Sequence, residues 1–275
     1  MYGKNILIAL LLLMLWSAAH FTPPQEHSTL GAQPTTNSTL RLMTWNIGYA
    51  ELEPDTRAHT QDLPAVADVI MRQDPDAVAL QELTGATQMR SLLALLHGRY
   101  RGAIAQQGSA DRFEAVLVKE MSARFEQIAV GGRYAIGANF QPHADGPQLV
   151  LISVHADAFN AARRRAYTES VVDWARTHGQ SARVFIAGDF NFELRAADET
   201  SLYTDNLQND SEAYSYLLRY FRDLGRTAGA TAINDRRIDY IYGPTESVRL
   251  DRAEVLRTTA VGHMDHWPLI IEIAL

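Results

Sequence analysis

Polar residues that can take part in chemistry lie where the apolar stretches of this sequence end. Asn46, Glu82 and His155 each follow closely on a mainly apolar run, and Asp189 and Asn191 follow another. Each residue by itself is compatible with a turn, a helix cap or a hydrogen-bonded core position. Together they indicate a site, because the ends of buried strands meet at one rim of a sheet, where sites are commonly built.

Three further residues near the C-terminus extend this pattern. Asp239 lies inside the apolar segment 238–241, where a buried carboxylate costs free energy unless it has a partner. Asp265 and His266 directly precede the last apolar run. Carboxylate and amide oxygens are ligands that suit Mg²⁺, and histidine exchanges protons near neutral pH. The sequence thus contains groups for both metal binding and proton transfer.

Composition narrows the function classes. The chain has 275 residues, of which 47% are hydrophobic, and this is typical of a globular protein. It has no cysteine, which excludes disulfides, cysteine-ligated metal centres and thiol catalysis. The net charge of −7 argues against a protein that holds nucleic acid by bulk charge, but not against an enzyme that contacts a few phosphates.

The N-terminus resembles an export signal. Lys4 precedes an apolar run at 6–16, and small residues follow at 17–19. This run has the length of a signal-peptide core and is shorter than the about 20 residues that span a bilayer. We expect residues 1–19 to be a signal peptide or an uncleaved membrane anchor. The protein is then exported, either to a periplasm or outside the cell, with possible membrane association through residues 6–19.

The remaining chain is expected to form a linker and one domain. Residues 20–39 are rich in Pro, Ser and Thr, which predicts a flexible linker, and residues 40–275 form the catalytic domain. Apolar periodicity predicts helices at 61–72, 87–96, 163–177 and 211–224 and strands at 40–45, 76–80, 114–119, 149–154, 183–187, 238–242 and 267–273. Segment 131–140 is interpreted as two strand fragments rather than a membrane-contacting lip. The alternation predicts a layered α/β domain.

Six short motifs give a resemblance to a known family. They are TWN (44–46), LQE (80–82), SVH (153–155), GDFN (188–191), RIDY (237–240) and DH (265–266). In order and spacing this set resembles the endonuclease/exonuclease/phosphatase superfamily of DNase I-like enzymes, and the resemblance covers nearly all of 40–275. It implies a four-layer α/β sandwich, with two packed mixed β-sheets flanked by helices. It also implies metal-dependent hydrolysis of a phosphate ester.

The resemblance also implies a metal site. Mg²⁺ is the expected ion, and Mn²⁺ is expected to substitute for it. Glu82 is the foremost ligand candidate, Asn46 adds an amide oxygen, and Asp265 adds a second carboxylate. One departure is Met264, which stands where such families usually have Ser and thereby removes one hydroxyl. The neighbouring His263 is expected to be structural or solvent-facing.

The same resemblance assigns catalytic roles. Asp189 orients or deprotonates the attacking water, and Asn191, on the same side of an extended segment, donates to a phosphoryl oxygen. Asp239 pairs with His266, which acts either as a base or as an electrostatic donor. His155 and His266 are both expected to stand, as cations, beside the phosphate.

The substrate remains open at this level. A phosphodiester in nucleic acid or phospholipid is favoured, and the alternatives are a phosphomonoester of the inositol-phosphate type or a non-enzymatic binding module on the same fold. Arg163 and Arg164 open a helix shortly after His155 and are weak candidates for phosphate contacts, whereas a solvated helix face is the plainer interpretation. The protein is expected to be a monomer.

Overall fold

The computed structural model describes residues 39–50, 62–105, 112–119, 122–179, 181–194, 204–246, 248–257 and 264–275. The expected signal or anchor at 1–19, the linker at 20–39 except for its last residue, and His263 lie outside the described residues. In the described part of the chain, no helix is both long enough and apolar enough to cross a bilayer.

The first of two six-stranded sheets contains the first and the last of the described strands. Its strands are β1 (Thr39–Asn46), β2 (Ala77–Leu83), β3 (Tyr100–Ile104), β4 (Phe113–Lys119), β11 (Arg249–Val255) and β12 (Leu269–Ala274). They are ordered β11-β12-β1-β2-β4-β3. Only β1 and β2 are parallel to each other, and helix α1 (Asp62–Gln73) connects them. Helix α2 (Ala86–Leu95) follows β2.

The second sheet repeats this plan. Its strands are β5 (Ala123–Val130), β6 (Arg133–Phe140), β7 (Leu149–His155), β8 (Arg183–Asp189), β9 (Phe221–Asp223) and β10 (Asp239–Pro244), ordered β5-β6-β7-β8-β10-β9. The parallel pair is β7 and β8, connected by helix α3 (Ala161–His178), and helix α4 (Leu207–Leu218) follows β8. Each sheet therefore has one central parallel pair whose strands end at the same rim.

Three apolar clusters separate four layers. One packs α1 and α2 against the first sheet, through residues such as Ile70 and Leu92. A second packs α3 and α4 against the other sheet, with Val172 and Leu217 among its members. The third lies between the two sheets and includes Phe185. The predicted four-layer α/β sandwich is therefore confirmed.

The predicted elements agree with the structure except at weakly apolar segments. The helix predicted at 211–224 is wrong at both ends, because α4 begins at Leu207 and the chain then pairs with β10 as β9. Asn206 caps α4 by accepting a hydrogen bond from the backbone N–H of Asn209. Strands β3, β5 and β11 were not predicted. Segment 131–140 belongs to the sandwich as predicted, but it forms the single strand β6 rather than two strand fragments, and a Gly131-Gly132 turn connects it to β5.

Candidate active site

The two parallel strand pairs bring their final residues to one rim. Asn46 at the end of β1 lies beside Gln81 of β2, and His155 at the end of β7 lies beside Asp189 at the end of β8. The side chain of Asn46 joins the two sheets, since its Nδ2 donates to Asp189 Oδ2 at 3.1 Å. All four residues are buried. The strand ends singled out in the sequence therefore converge.

Close approach of β7 and β8 depends on a glycine. Gly188 has φ +150°, and a Cβ at this position would lie 1.9 Å from the carbonyl oxygen of Val154. Only glycine fits this backbone, because any side chain would collide with the neighbouring strand. The glycine thus allows Asp189 to follow directly beside His155, with Asp189 Oδ2 3.6 Å from His155 Nε2.

Asp239 and His266 form a buried pair. His266 Nδ1 donates to Asp239 Oδ2 at 2.8 Å, and His266 Nε2 lies 3.8 Å from Asp189 Oδ2. Burial acts to lower the pKa of His266, but the charge of Asp239 and its hydrogen bond outweigh burial and raise that pKa to about 10. His266 is therefore an imidazolium at neutral pH. The backbone carbonyl of His266 accepts from Trp45 Nε1 at 3.2 Å, which fixes its position.

Glu82 occupies an unusual backbone position. The pairing of β2 with β4 shifts register between Leu80 and Leu83, and Glu82 within this bulge has φ +60°. A non-glycine residue rarely adopts this conformation, and bulges redirect side chains at functional sites. Glu82 Oε1 lies 3.2 Å from Arg112 Nη1 and 3.7 Å from His155 Nε2. Burial raises the pKa of Glu82, and the charge of Arg112 offsets part of that rise.

Asn191 lies in a turn rather than in the extended segment expected from the sequence. Its φ is +53°, and its backbone N–H donates to Asp189 Oδ1 at 2.9 Å. Its side-chain Nδ2 donates to the carbonyl oxygen of Ala156 at 3.2 Å. The extended geometry is therefore wrong for Asn191. The turn instead uses Asn191 to hold one oxygen of Asp189 in place while the other faces the two histidines.

The two histidines differ in charge. Burial lowers the pKa of His155 to about 4, although the charge of Asp189 acts in the opposite direction. His155 is therefore neutral at pH 7 in the protein without ligand. The difference arises because His155 has only longer contacts with carboxylates, whereas His266 has a short hydrogen bond to Asp239. The expectation of a cationic His155 beside a bound phosphate stays a prediction.

The remaining predicted residues separate into accessible and buried ones. Asp265 is half-exposed, with Oδ1 3.8 Å from His266 Nε2, and its charge raises the pKa of Glu82. Arg163 is exposed, and its Nη1 lies 3.9 Å from Asp157 Oδ2. Arg164 is fully buried and forms a bidentate ion pair with Asp210. The prediction that Arg164 contacts substrate is therefore corrected, because its guanidinium has no access to solvent.

Two features of the site were not predicted from the sequence, although Thr44, Gln81 and Ser153 lie in the family motifs. Arg112 is a lone arginine between two strands, yet it contacts Glu82 at the rim. Below the rim, the side chains of Gln81, Ser153 and Thr44 form a buried network: Gln81 Nε2 donates to Ser153 Oγ at 3.0 Å, and Thr44 Oγ1 donates to Gln81 Oε1 at 3.4 Å. This network connects β1 and β2 of one sheet to β7 of the other and supports the residues above it.

The donor atoms at the rim suit a hard divalent cation. Glu82 and Asp265 supply carboxylates, and Asn46 Oδ1 accepts one hydrogen bond, from the backbone N–H of Gly48, which leaves it a second lone pair. In the described part of the chain, ligating atoms of Asp189, Asp239 and His266 also lie within 4.8 Å of one another. In that second group, the short contact between Asp239 and His266 already occupies one donor and one acceptor.

Comparison with known proteins agrees with this geometry. The model of the endonuclease/exonuclease/phosphatase family matches residues 43–262. The chain belongs to the endonuclease/exonuclease/phosphatase family. The matched range includes Asn46, Glu82, His155, Asp189 and Asp239, and the structure adds Asp265 and His266 beyond it. The resemblance inferred from the six motifs is therefore confirmed.

Solved structures from the same family share the fold at low identity. A Bacteroides vulgatus endonuclease/exonuclease/phosphatase is 18% identical with a TM-score of 0.68, over 86% of this chain and 99% of the other. The human nocturnin catalytic domain with bound sulfate is 16% identical with a TM-score of 0.65, over 86% and 93%. A Bacteroides thetaiotaomicron mannosyl-6-phosphatase is 16% identical with a TM-score of 0.65, over 86% and 100%. No curated protein sequence matches the chain described here significantly.

The departure at Met264 has a structural explanation. Met264, where the resemblance led us to expect Ser, is partly buried and packs against the apolar cluster formed by the first sheet with α1 and α2. A hydrophobic contact thus stands where a hydroxyl was expected. The next two residues, Asp265 and His266, lie at the rim of the site.

Proposed function

We propose that this protein hydrolyses a phosphate ester, most specifically a phosphodiester, by attack of water in the presence of Mg²⁺. One observation carries the proposal. Asp189 Oδ2 lies within 3.8 Å of a nitrogen on each of two differently charged histidines and accepts a hydrogen bond from Asn46. A carboxylate in this arrangement suits the task of taking a proton from water beside an anionic group.

Asp189 is the proposed base. Burial raises its pKa, and the charge of Asp239 raises it further, while His266 and His155 act in the opposite direction. A carboxylate with a raised pKa accepts a proton from water more readily than an exposed one. Its other oxygen is held by the backbone of Asn191, so the carboxylate keeps one orientation.

His266 is the proposed electrostatic donor. Its proton on Nδ1 is held by Asp239, so a second proton on Nε2 faces the rim and can donate to a phosphoryl oxygen. A cation held in this position stabilises negative charge that develops on the phosphate. His155 acts as a neutral donor, since its Nε2 faces both Glu82 and Asp189 and carboxylates favour the tautomer that is protonated there.

Asn191 and the metal ligands complete the proposed site. One amide proton of Asn191 goes to Ala156, and the amide group has a second proton for a phosphoryl oxygen. Glu82, Asn46 and Asp265 are the residues that would hold Mg²⁺, with Mn²⁺ as a substitute. When bound, this ion would neutralise phosphoryl charge and polarise the ester.

Two alternatives to this proposal are a phosphomonoesterase and a binding module without catalytic activity. The mannosyl-6-phosphatase name of one structural neighbour supports a phosphomonoester substrate. A binding module without catalysis is disfavoured, because every candidate catalytic and metal-ligating position holds a residue capable of the expected role, and the one departure, Met264, removes no such residue. Nucleic acid, phospholipid and inositol phosphates are the substrate classes to compare.

Hydrolysis of bis-p-nitrophenyl phosphate tests the proposal directly. We expect turnover with Mg²⁺ or Mn²⁺, loss of turnover in EDTA, and a much lower rate on the monoester p-nitrophenyl phosphate. Asp189→Asn is expected to abolish turnover, and Asp68→Asn, on the exposed face of α1, serves as the matched control. Turnover that persists in EDTA contradicts the metal, and a preference for the monoester favours the phosphatase alternative.

We also propose that the chain is exported. The apolar run at 6–16 after Lys4 supports this proposal, with residues 1–19 as a signal peptide or anchor, 20–39 as a linker and 40–275 as a monomeric catalytic domain. Cell fractionation followed by mass spectrometry of the N-terminus distinguishes cleavage near residue 19 from retention of an anchor. Recovery of the intact chain in the cytoplasm contradicts export.

A further inference from the structure

Thr231 is a fully buried threonine in the segment between β9 and β10. Its Oγ1 accepts hydrogen bonds from two successive backbone N–H groups, those of Ile238 at 3.1 Å and Asp239 at 3.0 Å. A hydroxyl oxygen has two lone pairs, so both are used. A buried N–H that loses its acceptor keeps the cost of desolvation, and the hydroxyl of Thr231 therefore fixes the backbone at the start of β10.

The backbone of the same segment holds the chain around His266. The carbonyl oxygen of Thr231 accepts from the backbone N–H of Trp267 at 2.7 Å. Two residues later, the backbone N–H of Ile233 donates to the carbonyl oxygen of Asp265 at 2.9 Å. The residue between Thr231 and Ile233 lies opposite His266 in an antiparallel bridge. This segment therefore fixes the backbone on both sides of His266.

Among the described residues, only one of the two carboxylate oxygens of Asp239 has a hydrogen-bond partner. Oδ2 accepts from His266 Nδ1 at 2.8 Å, whereas the buried Oδ1 has no partner in this part of the chain. The direction of the carboxylate thus depends on the backbone from which it extends, and Thr231 holds that backbone. Thr231 therefore connects both members of the pair, through its hydroxyl to the aspartate and through its carbonyl to the chain that follows the histidine.

We propose that Thr231 is a positioning residue, whose hydroxyl places the backbone of Asp239 so that its carboxylate meets His266 and directs His266 Nε2 at the phosphoryl group. The inference rests on the proposed hydrolase function, in which His266 donates to a phosphoryl oxygen. Thr231 itself has no exposed surface, so it does not touch substrate. It acts through two other side chains, and their placement matters most in the transition state, when charge develops on the phosphate.

The kinetics of matched variants test this role. Thr231→Val keeps the shape of the side chain but removes the hydroxyl, Thr231→Ser keeps the hydroxyl, and Thr168→Val is the control. Thr168 is equally buried, in α3, and its Oγ1 donates to the carbonyl oxygen of Arg164 at 2.8 Å. With bis-p-nitrophenyl phosphate and Mg²⁺, we expect kcat of Thr231→Val to fall about 10- to 100-fold with little change in KM. Thr231→Ser and Thr168→Val should keep most of the wild-type kcat.

A double-mutant cycle tests whether Thr231 acts through Asp239. In the Asp239→Asn background, the carboxylate that Thr231 places has already lost its charge, so Thr231→Val should lower kcat by less than about twofold further. The same loss in both backgrounds would overturn the inference, because Thr231 would then act by another route. Equal losses of kcat in Thr231→Val and Thr231→Ser would overturn it as well, since the hydroxyl would not be the group that matters.

An NMR measurement tests the same placement without turnover. In the metal-free protein with isotope-labelled histidine, the Nδ1 proton that Asp239 holds should give a far-downfield signal, because it lies in a short charge-assisted hydrogen bond. Loss of the signal in His266→Asn identifies it. Thr231→Val should shift or remove this signal, whereas Thr231→Ser and Thr168→Val should retain it. If Thr231→Val does not fold, Thr231→Ala, which places no methyl group against the two N–H groups, replaces it in both measurements.

The inference and the proposed function fail in different ways. If wild type hydrolyses nothing, the proposed hydrolase fails, and the NMR comparison still decides whether Thr231 places Asp239. If wild type turns over and Thr231→Val keeps both its kcat and the far-downfield signal, the hydrolase stands and the positioning role is refuted. Urea denaturation of the same proteins shows whether a loss of kcat accompanies a loss of stability that the control variant shares.

Discussion

Asp189 and Asp239 lie directly opposite each other across the antiparallel pair β8 and β10, and both are buried. Like charges at opposed positions destabilise a sheet, so each carboxylate needs its own compensation. Asp239 has His266 as its partner, and Asp189 has Asn46 and the backbone of Asn191. Asp239 therefore holds His266 in position, whereas Asp189 faces the rim.

Asp239→Asn tests that division. The variant removes the charge that raises the pKa of His266, so the imidazolium becomes neutral near physiological pH and its donor role is lost. We expect turnover of bis-p-nitrophenyl phosphate to fall by on the order of 100- to 10,000-fold. Asp251→Asn, at a surface position on β11, is the control. An NMR titration should show a lowered pKa for His266, and an unaltered rate with that lowered pKa would refute the electrostatic role.

The stability contributed by His266 should depend on pH in a defined direction. Its folded-state pKa is raised to about 10 from an ordinary value of 6.5, so protonation favours the folded state. In EDTA, the difference in unfolding free energy between wild type and His266→Asn should be fully present below pH 6.5 and vanish as pH rises through about 10. Urea denaturation at several pH values measures this difference. If the difference in unfolding free energy between the two proteins grows with pH, the raised pKa of His266 is contradicted.

The central strands and the strand-end residues could be predicted from the sequence because burial on both faces produces continuous apolar runs. Strands β5 and β11 could not, because they lie at sheet edges and alternate exposed charged residues with apolar ones. The segment of strand β9 was predicted as the end of a helix, but in the structure it pairs with β10. Tertiary contacts therefore determined these segments, and local pattern did not.

The convergence of the strand-end residues was predictable for the same reason. The prediction failed for pairings between residues that are far apart in the sequence. Arg164 looked like its neighbour Arg163, but Asp210, which buries it, lies on the next helix, α4. The difference in charge between His155 and His266 also required knowledge of which carboxylate lies nearest to each. Sequence spacing places residues at a rim but does not reveal these pairings.

Divalent cations should stabilise the protein through Glu82. Burial disfavours the ionised form of this carboxyl, and the charge of a bound cation would restore it. At a Mg²⁺ concentration of about 100 times Kd, we expect Tm to rise by roughly 5–10 °C. Glu82→Gln should remove most of this rise, whereas Glu254→Gln on β11 should retain it. Equal rises in both variants, measured by thermal denaturation, would place the cation elsewhere.

The ion pair between Arg164 and Asp210 should contribute strongly to stability when only one partner is lost. Both side chains are fully buried, so Arg164→Met leaves an unpaired carboxylate in the interior. We expect a loss of about 3–5 kcal/mol in unfolding free energy, and a smaller loss in the double variant Arg164→Met/Asp210→Leu. Arg249→Met, which breaks the exposed pair with Asp251, should cost less than about 1 kcal/mol. Urea denaturation measures all three, and additive losses in the double variant would show that the two charges do not act as a pair.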